Sequence, residues 1–289
     1  MSAGATPDAD ARIDKPAVRE AASVILLREA APAPGGRQGF EVLMLRRRKG
    51  AAWASAFVFP GGATDPGEDA RTAAARELFE EAGVLLATIT HDEHDTLGIA
   101  DLSTLRAEVL AGADAGSVLA RAGMAWATES LVPWSHWITP SAEPKRFSAR
   151  FFVCELPPGQ MSSHDDIETV EQLWIRPADA IARAGALVLP PPQVRTCWEL
   201  ARYATIAEVL AAGARRAEES HPIMPRLRVA GANPAPTLLL PWDPEYRDLG
   251  TGESAPMTYT PAWAIGPSRF VRENDTWKHV AAPGSTIAG

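Results

Sequence analysis

The chain has 289 residues, a net charge of −8 and an apolar fraction of 46%, enough for one large domain or one domain with appendages. The acidic balance argues against a general nucleic-acid binder, which meets phosphate backbones with an excess of Lys and Arg. No apolar run is long enough to cross a bilayer, and the two cysteines, Cys154 and Cys197, lack metal-ligand spacing and suit buried thiols in a reducing cytoplasm.

Residues 1–18 are small, acidic and Pro-containing, without the apolar core of a signal peptide, and read as a disordered tail. Folded sequence begins near Glu20. Ala21 to Leu27 reads as a central strand, and a Gly/Pro loop at 31–39 leads into a second strand, Phe40 to Leu45. The run Arg46-Arg47-Arg48-Lys49 follows. It is either a solvated strand end or, through Arg46 and Arg48, a set of cations that meets substrate phosphates, because guanidinium forks suit that geometry.

The most informative stretch is Gly61 to Val84, GGATDPGEDARTAAARELFEEAGV. At ~3.6 residues per turn, Glu77 and Glu81 lie nearly one above the other with Glu80 beside them. Gly83 has the character of a helix stop, which puts Glu80 and Glu81 in the last turn, at the negative pole of the helix. Like charges packed where cations are favoured break local rules together, a mark of a functional site. A divalent cation removes the conflict, and clustered carboxylate oxygens suit Mg²⁺ or Mn²⁺ rather than zinc or copper. The plain alternative is a solvated acidic face. Against it, Leu78, Ala74, Ala75 and Ala82 form an apolar stripe that orients the helix, and Phe59-Pro60-Gly61-Gly62 makes a turn that can approach a ligand closely.

Gly62, then Glu68 after five residues, then Arg76-Glu77-Leu78-Phe79-Glu80-Glu81-Ala82-Gly83-Val84 after seven more, resembles the Nudix hydrolase box at every defined position. Val58 to Gly62 is similar to the strand end that precedes the box in that family. The resemblance implies an α/β (α+β) Nudix fold with a mixed sheet sandwiched between helices. It also implies hydrolysis of a nucleoside diphosphate linked to some moiety X, with Mg²⁺ or Mn²⁺ as cofactor. Glu77 and Glu81 are the first-choice metal ligands, and Glu80 is a third ligand or the base. The Gly61 carbonyl adds a contact. Arg76 pairs with Glu80 four residues on and orients the carboxylates, while Glu68 braces them or binds a further cation.

Leu85-Leu86 resembles the short strand that follows the box. Residues 91–130 then look like a helical insertion, with helices over Asp101–Leu110 and Ser117–Ala127 joined at Gly112 to Gly116. His91 and His94 precede it and read as exposed loop residues. In LVPWSHWITP, Trp134 and Trp137 flank His136 and read as core or interface, or else as a platform for a base. Pro144 to Val153 is a strand on which Arg146 and Arg150 share a face and can meet phosphate. After a loop at 157–166, Val170 to Ile175 is the next strand. The family often supplies one more acidic residue from this region, here Glu171, Glu168, Asp165 or Asp166. Pro177–Ala184 and Pro192–Ala212 read as helices.

Across residues 20–210 the pattern resembles the branch with coenzyme A diphosphatases carrying a helical insertion. The domain is therefore expected over 19–221. An irregular C-terminal extension over 222–289 would hold edge strands at Leu238–Trp242 and Met257–Trp263, packed on its own domain or on a partner subunit. Trp126, Trp242, Trp263 and Trp277 exceed what a minimal core buries, so a homodimer is expected. Coenzyme A or acyl-coenzyme A is the expected substrate, with ADP-ribose or a dinucleotide as the alternative. A non-catalytic nucleotide or coenzyme A sensor is the competing class, and neither nucleic acid nor membrane is an expected partner.

Overall fold

The structure, a computed structural model, describes residues 17–31, 39–48, 55–90, 99–219, 221–228, 235–249, 259–274 and 276–284. The N-terminal tail up to residue 16, Lys49, His91 and His94 lie outside the described residues. Strand β1 (Val18–Glu29) is the spine of the main sheet. Ala22, Val24 and Leu26 face one core and Ile25 and Leu27 the other, so the strand reads as a near-continuous apolar run, as one buried on both faces must. Around it lie β2 (Phe40–Arg47), β3 (Phe57–Val58) and β4 (Gly61–Ala63), followed by helix α1 (Ala70–Ala82).

Helix α1 starts at Asp69, whose side chain accepts from the amides of Arg71 and Thr72, and stops at Gly83 in the left-handed conformation, φ 67°. Such an N-cap is worth about 1 kcal/mol, and glycine takes the left-handed stop without a Cβ penalty. Next come β5 (Ala87–Ile89), α2 (Ile99–Leu110), α3 (Ala115–Arg121) and β6 (Met124–Trp126). The insertion departs from expectation at its second helix. Asp114 caps α3 early, α3 ends at Arg121, and Met124–Trp126 instead pairs with β5. That pairing also moves the post-box strand from Leu85-Leu86 to Ala87–Ile89.

Strands β7 (Val132–Ile138), β8 (Arg146–Glu155) and β9 (Thr169–Ile175) complete the sheet with β10 (Pro222–Ile223). The order is β10–β7–β8–β1–β2–β3, with β4 also on β1 and β9 also on β2. Strand β8 runs parallel to β1 and β2 antiparallel to it, so the sheet is mixed. Helix α1 covers one face through Ala74, Ala75, Leu78 and Ala82. The other face is covered by α6 (Pro191–Leu200) and α7 (Ile206–Glu218), after the short α4 (Pro177–Ala182) and α5 (Ala184–Leu187). The mixed sheet between helices is as expected. The single helix expected over Pro192–Ala212 is two, because Thr205 and Glu208 form a reciprocal capping box that starts α7 afresh.

The insertion packs back on α1. Phe79, on a different stripe from Leu78, joins Leu85, Val109, Val118, Leu119 and Met124 in a separate small core. Helix α1 is thus buried on two sides, and its carboxylates occupy what remains.

The C-terminal extension is more regular than expected. Strands β11 (Arg226–Arg228), β12 (Thr237–Leu239), β13 (Arg269–Glu273) and β14 (Thr276–Val280) form an antiparallel sheet in that order. Leu238 and Leu239 therefore lie in a central strand, not an edge. Tyr259–Trp263 is not a strand, and Met257 is outside the described residues. The extension packs on its own chain: Trp242, Trp263 and Trp277 pack against the main core, and Trp126 against the α1 and insertion cores. The four tryptophans behind the homodimer expectation are thus partly buried within the chain. Glu199 bonds Arg195, Arg216 and Trp134, and Arg195 in turn donates to the carbonyls of Ile265 and Pro267. Among the described residues no helix is long and apolar enough to cross a membrane. Cys154 and Cys197 are buried, which pushes both thiols up to about 12.

Candidate active site

The box carboxylates converge on one guanidinium. Arg76 donates from Nε and Nη2 to the two oxygens of Glu68, at 2.9 and 3.0 Å, and from Nη1 to Glu77 at 3.0 Å and Glu80 at 3.2 Å. Its Nη2 also reaches the Ala63 carbonyl at 3.0 Å, tying the helix to β4. Burial opposes the charge on Arg76, but its bonds to Glu68 and the nearness of Glu77 and Glu80 outweigh this and raise its pKa. Glu68 also accepts from the Asp65 amide at 3.0 Å, so both of its oxygens are engaged in bracing.

Glu77 and Glu81 are packed against Gly61 and Gly62 of β4. Glu81, only 4% exposed, accepts from the Gly61 amide at 2.9 Å. A Cβ on Gly62 would lie 2.6 Å from Glu77 Cδ, and one on Gly61 2.6 Å from Ser23 Cα. Glycine at both positions lets strand and carboxylates approach this closely. Burial pushes Glu81 up to about 8, with Glu77 adding to the shift, while the Gly61 amide and Arg47 oppose it. Burial likewise raises Glu77 to about 7, against Arg76 and with Glu80 and Glu168. Glu80 is also raised, chiefly by burial.

Three carboxylates, Glu68, Glu77 and Glu80, therefore share one guanidinium, with the buried Glu81 held beside them by the Gly61 amide. Among the described residues no three Asp, Glu, His or Cys side chains stand ready as a ligand set. The reason is visible in the bonds just given: Arg76 occupies oxygens of Glu77 and Glu80, and the Gly61 amide one of Glu81. The donor chemistry nonetheless fits a hard divalent cation, since all the ligating atoms are oxygens and the carboxyls gathered here outnumber the guanidinium among them.

The outlying candidates separate by strand parity. Leu43 and Leu45 of β2 face α1, whereas Val42 and Met44 face away. Arg47 follows the parity of Leu45 and is the arginine felt by Glu81. Arg46 pairs with Glu171 at 2.8 Å, and Arg48 donates to the Asp166 carbonyl. Neither Arg46, Arg48 nor Glu171 is brought to the carboxylates, and Arg47 was the member of the run to single out. The period-two alternation of the strand was the available signal.

Among the later acidic residues, Asp165 is consumed by its own loop, accepting from the amides of Ile167, Glu168 and Thr169. Asp166 pairs with His164 at 3.0 Å. Glu168 remains, 3.7 Å from Arg47 and adding to the charge felt by Glu77 and Glu81. Arg146, expected on a phosphate-binding face, is 5% exposed and donates to the Thr139 carbonyl. Arg150 pairs with Glu20 at 2.5 Å. Trp134 and Trp137 are core residues, which removes them as a base platform.

Two family models match this arrangement: the NUDT19 Nudix domain over residues 66–203 and the NUDIX domain over residues 18–111. The chain belongs to the Nudix hydrolase family. A Nudix hydrolase from Alicyclobacillus acidocaldarius has the same fold, with a TM-score of 0.55 at 24% identity over 68% of this chain and 96% of that one. Among curated relatives, a putative nudix hydrolase 7 of Caenorhabditis elegans is 33% identical over 58% of this chain and 57% of its own length. An acyl-coenzyme A diphosphatase NUDT19 of Xenopus laevis is 30% identical over 51% and 43%. The chain thus spans about half the length of these two relatives. Nudix hydrolases generally use divalent metal cations.

Proposed function

We propose that this Nudix protein hydrolyses the diphosphate of a nucleoside diphosphate derivative, with coenzyme A or an acyl-coenzyme A as substrate and Mg²⁺ or Mn²⁺ as cofactor. The observation that carries the reading is the cluster of Glu77 and Glu80 on Arg76 and of the buried Glu81 on the Gly61 amide, all beside β4. Glu77 and Glu81 would hold the cation, with Glu80 and the Gly61 carbonyl as further oxygen donors. When bound, a divalent cation offsets charge on phosphoryl oxygens and acidifies water. Arg76 and Glu68 hold the carboxylates in place. Arg47 lies at the same mouth and suits a phosphate oxygen. Glu80 and Glu168, partly open to solvent, are placed to exchange a proton with water. The coenzyme A preference is supported by the relatives named acyl-coenzyme A diphosphatase.

Steady-state assays on coenzyme A, an acyl-coenzyme A, ADP-ribose, a dinucleotide and a nucleoside triphosphate, with and without Mg²⁺ or Mn²⁺, test this. The expected result is metal-dependent cleavage with the highest kcat/KM on the coenzyme A class, because that ratio measures transition-state discrimination. A preference for triphosphate or ADP-ribose would refute the substrate, and no hydrolysis of any of them would refute the reaction.

A further inference from the structure

Helix α1 ends with carboxylates in its last turn and no basic residue of its own there. The last four carbonyls of a helix lack intrahelical partners, and cations are favoured beside them. Here the partners come from three places. The Gly83 amide takes the Phe79 carbonyl at 3.0 Å, and the Ser163 amide takes the Ala82 carbonyl at 2.9 Å. The Glu80 carbonyl is taken by Arg106 of α2, which donates from Nε at 3.0 Å and from Nη2 at 2.8 Å.

The same guanidinium reaches onward to the loop after β8. Arg106 Nη1 donates to Ser163 Oγ at 2.7 Å, and Nη2 donates to the Ser163 carbonyl at 3.1 Å. That loop is further stitched to the residues after α1 by Gln160, which exchanges two 2.8 Å bonds with the Leu85 backbone. Five residues past Ser163 lies Glu168, held by the Asp165 turn near Arg47. The insertion therefore contributes one side chain that joins the end of the box helix to the loop carrying the last acidic residue of the site.

We propose that Arg106 is a positioning residue for the cation site: by locking the last turn of α1 to the Ser163 loop, it sets the spacing of the glutamates and hence divalent-cation affinity. This rests on the cation reading of the site given above. The packing supports it, because Phe79 anchors α1 to the small core of α2 and α3 while Leu78 anchors it to the sheet. Arg106 then holds a place where helix, insertion and loop meet. Its planar fork makes four bonds to two residues at once, which the single ammonium of lysine does not reproduce.

The test uses the full chain with Arg106→Ala, Arg106→Lys and Ser163→Ala. Mn²⁺ dissociation constants are measured by electron paramagnetic resonance, and amide exchange is followed at Ala82–Val84. Arg106→Ala is expected to weaken Mn²⁺ binding at least ~10-fold, the lower end for partners that orient metal ligands, and to speed exchange at those amides. Arg106→Lys should recover part of the affinity, and Ser163→Ala, which keeps the backbone acceptor, most of it. Mn²⁺ affinity within twofold of wild type in a folded Arg106→Ala protein overturns the proposal. If that variant does not fold, wild-type affinity in Arg106→Lys does so. A wild-type chain that binds no Mn²⁺ instead removes the cation reading. The brace is then decided by exchange, and unchanged rates at Ala82–Val84 overturn it.

Discussion

Gly62 and Glu77 are in such close contact that a methyl group on the glycine would lie 2.6 Å from the carboxyl carbon of the glutamate. The neighbour is the end of a side chain, so Gly62→Ala would be accommodated by pushing Glu77 aside rather than by unfolding. We expect activity to fall at least ~10-fold, the scale for disturbed metal partners, with little change in Tm. Gly67→Ala is the control. It meets open space, and its φ of 85° limits its effect to backbone strain of about 1–2 kcal/mol. Equal activity loss in both variants would disconnect the Gly62 contact from function.

Glu81 is the least exposed of the box carboxylates and the one bonded to the Gly61 amide. Glu81→Gln keeps the shape and removes the charge. Turnover should fall at least ~10-fold while circular dichroism stays that of the wild type. Near-wild-type turnover in the folded variant would remove Glu81 from the site.

The raised glutamates make stability depend on pH with a definite sign. Glu77 and Glu81 hold protons in the folded state up to about 7 and about 8, but release them near 4.5 when unfolded. Between those limits the folded chain binds more protons, so stability is greatest on the acid side and is lost as pH rises through 7 to 8. With chelator present, Tm should fall between pH 6.5 and 9, reflecting a stability loss on the order of a few kcal/mol at most. Starting at pH 6.5 leaves the buried His279, lowered by burial to about 3, and His136, also lowered by burial, only a small opposing contribution. Glu81→Gln should flatten the slope, and Mg²⁺ should reduce it by favouring the ionised forms. A metal-free Tm that rises over this range would contradict the assignment.

Glu199 is buried between Arg195 and Arg216, and Arg195 extends to the backbone of the C-terminal extension. Removing one member of a buried ion cluster leaves uncompensated charge and typically costs about 3–5 kcal/mol. Glu199→Ala should show a loss of this size in urea unfolding. A chain ending at His221 should likewise be unstable or insoluble, because Trp242, Trp263 and Trp277 would no longer cover the core. A well-folded truncated chain would mean that the extension is dispensable to the domain.

The amino-acid order by itself determined the box and the two-sided burial of β1. Local rules suffice for these: spacing on a helix, a glycine stop and an unbroken apolar run are properties of neighbours in sequence. Asp69 and Gly83 bound α1 in the structure, as the sequence suggested for the stop. The division at Thr205 and the α3 cap at Asp114 also rest on local capping residues. Only the tertiary structure decided which cation and which acid come near the glutamates. Arg46, Arg47 and Arg48 are chemically equal in sequence, and the parity of β2 selects Arg47. Glu168, Glu171, Asp165 and Asp166 are likewise equal until the Asp165 turn, the Arg46 pairing and the His164 pairing engage three of them. The burial of the C-terminal tryptophans and the reach of Arg106 to Glu80 join residues far apart in the chain. No local propensity encodes such contacts, because their free energy exists only once the layers have packed.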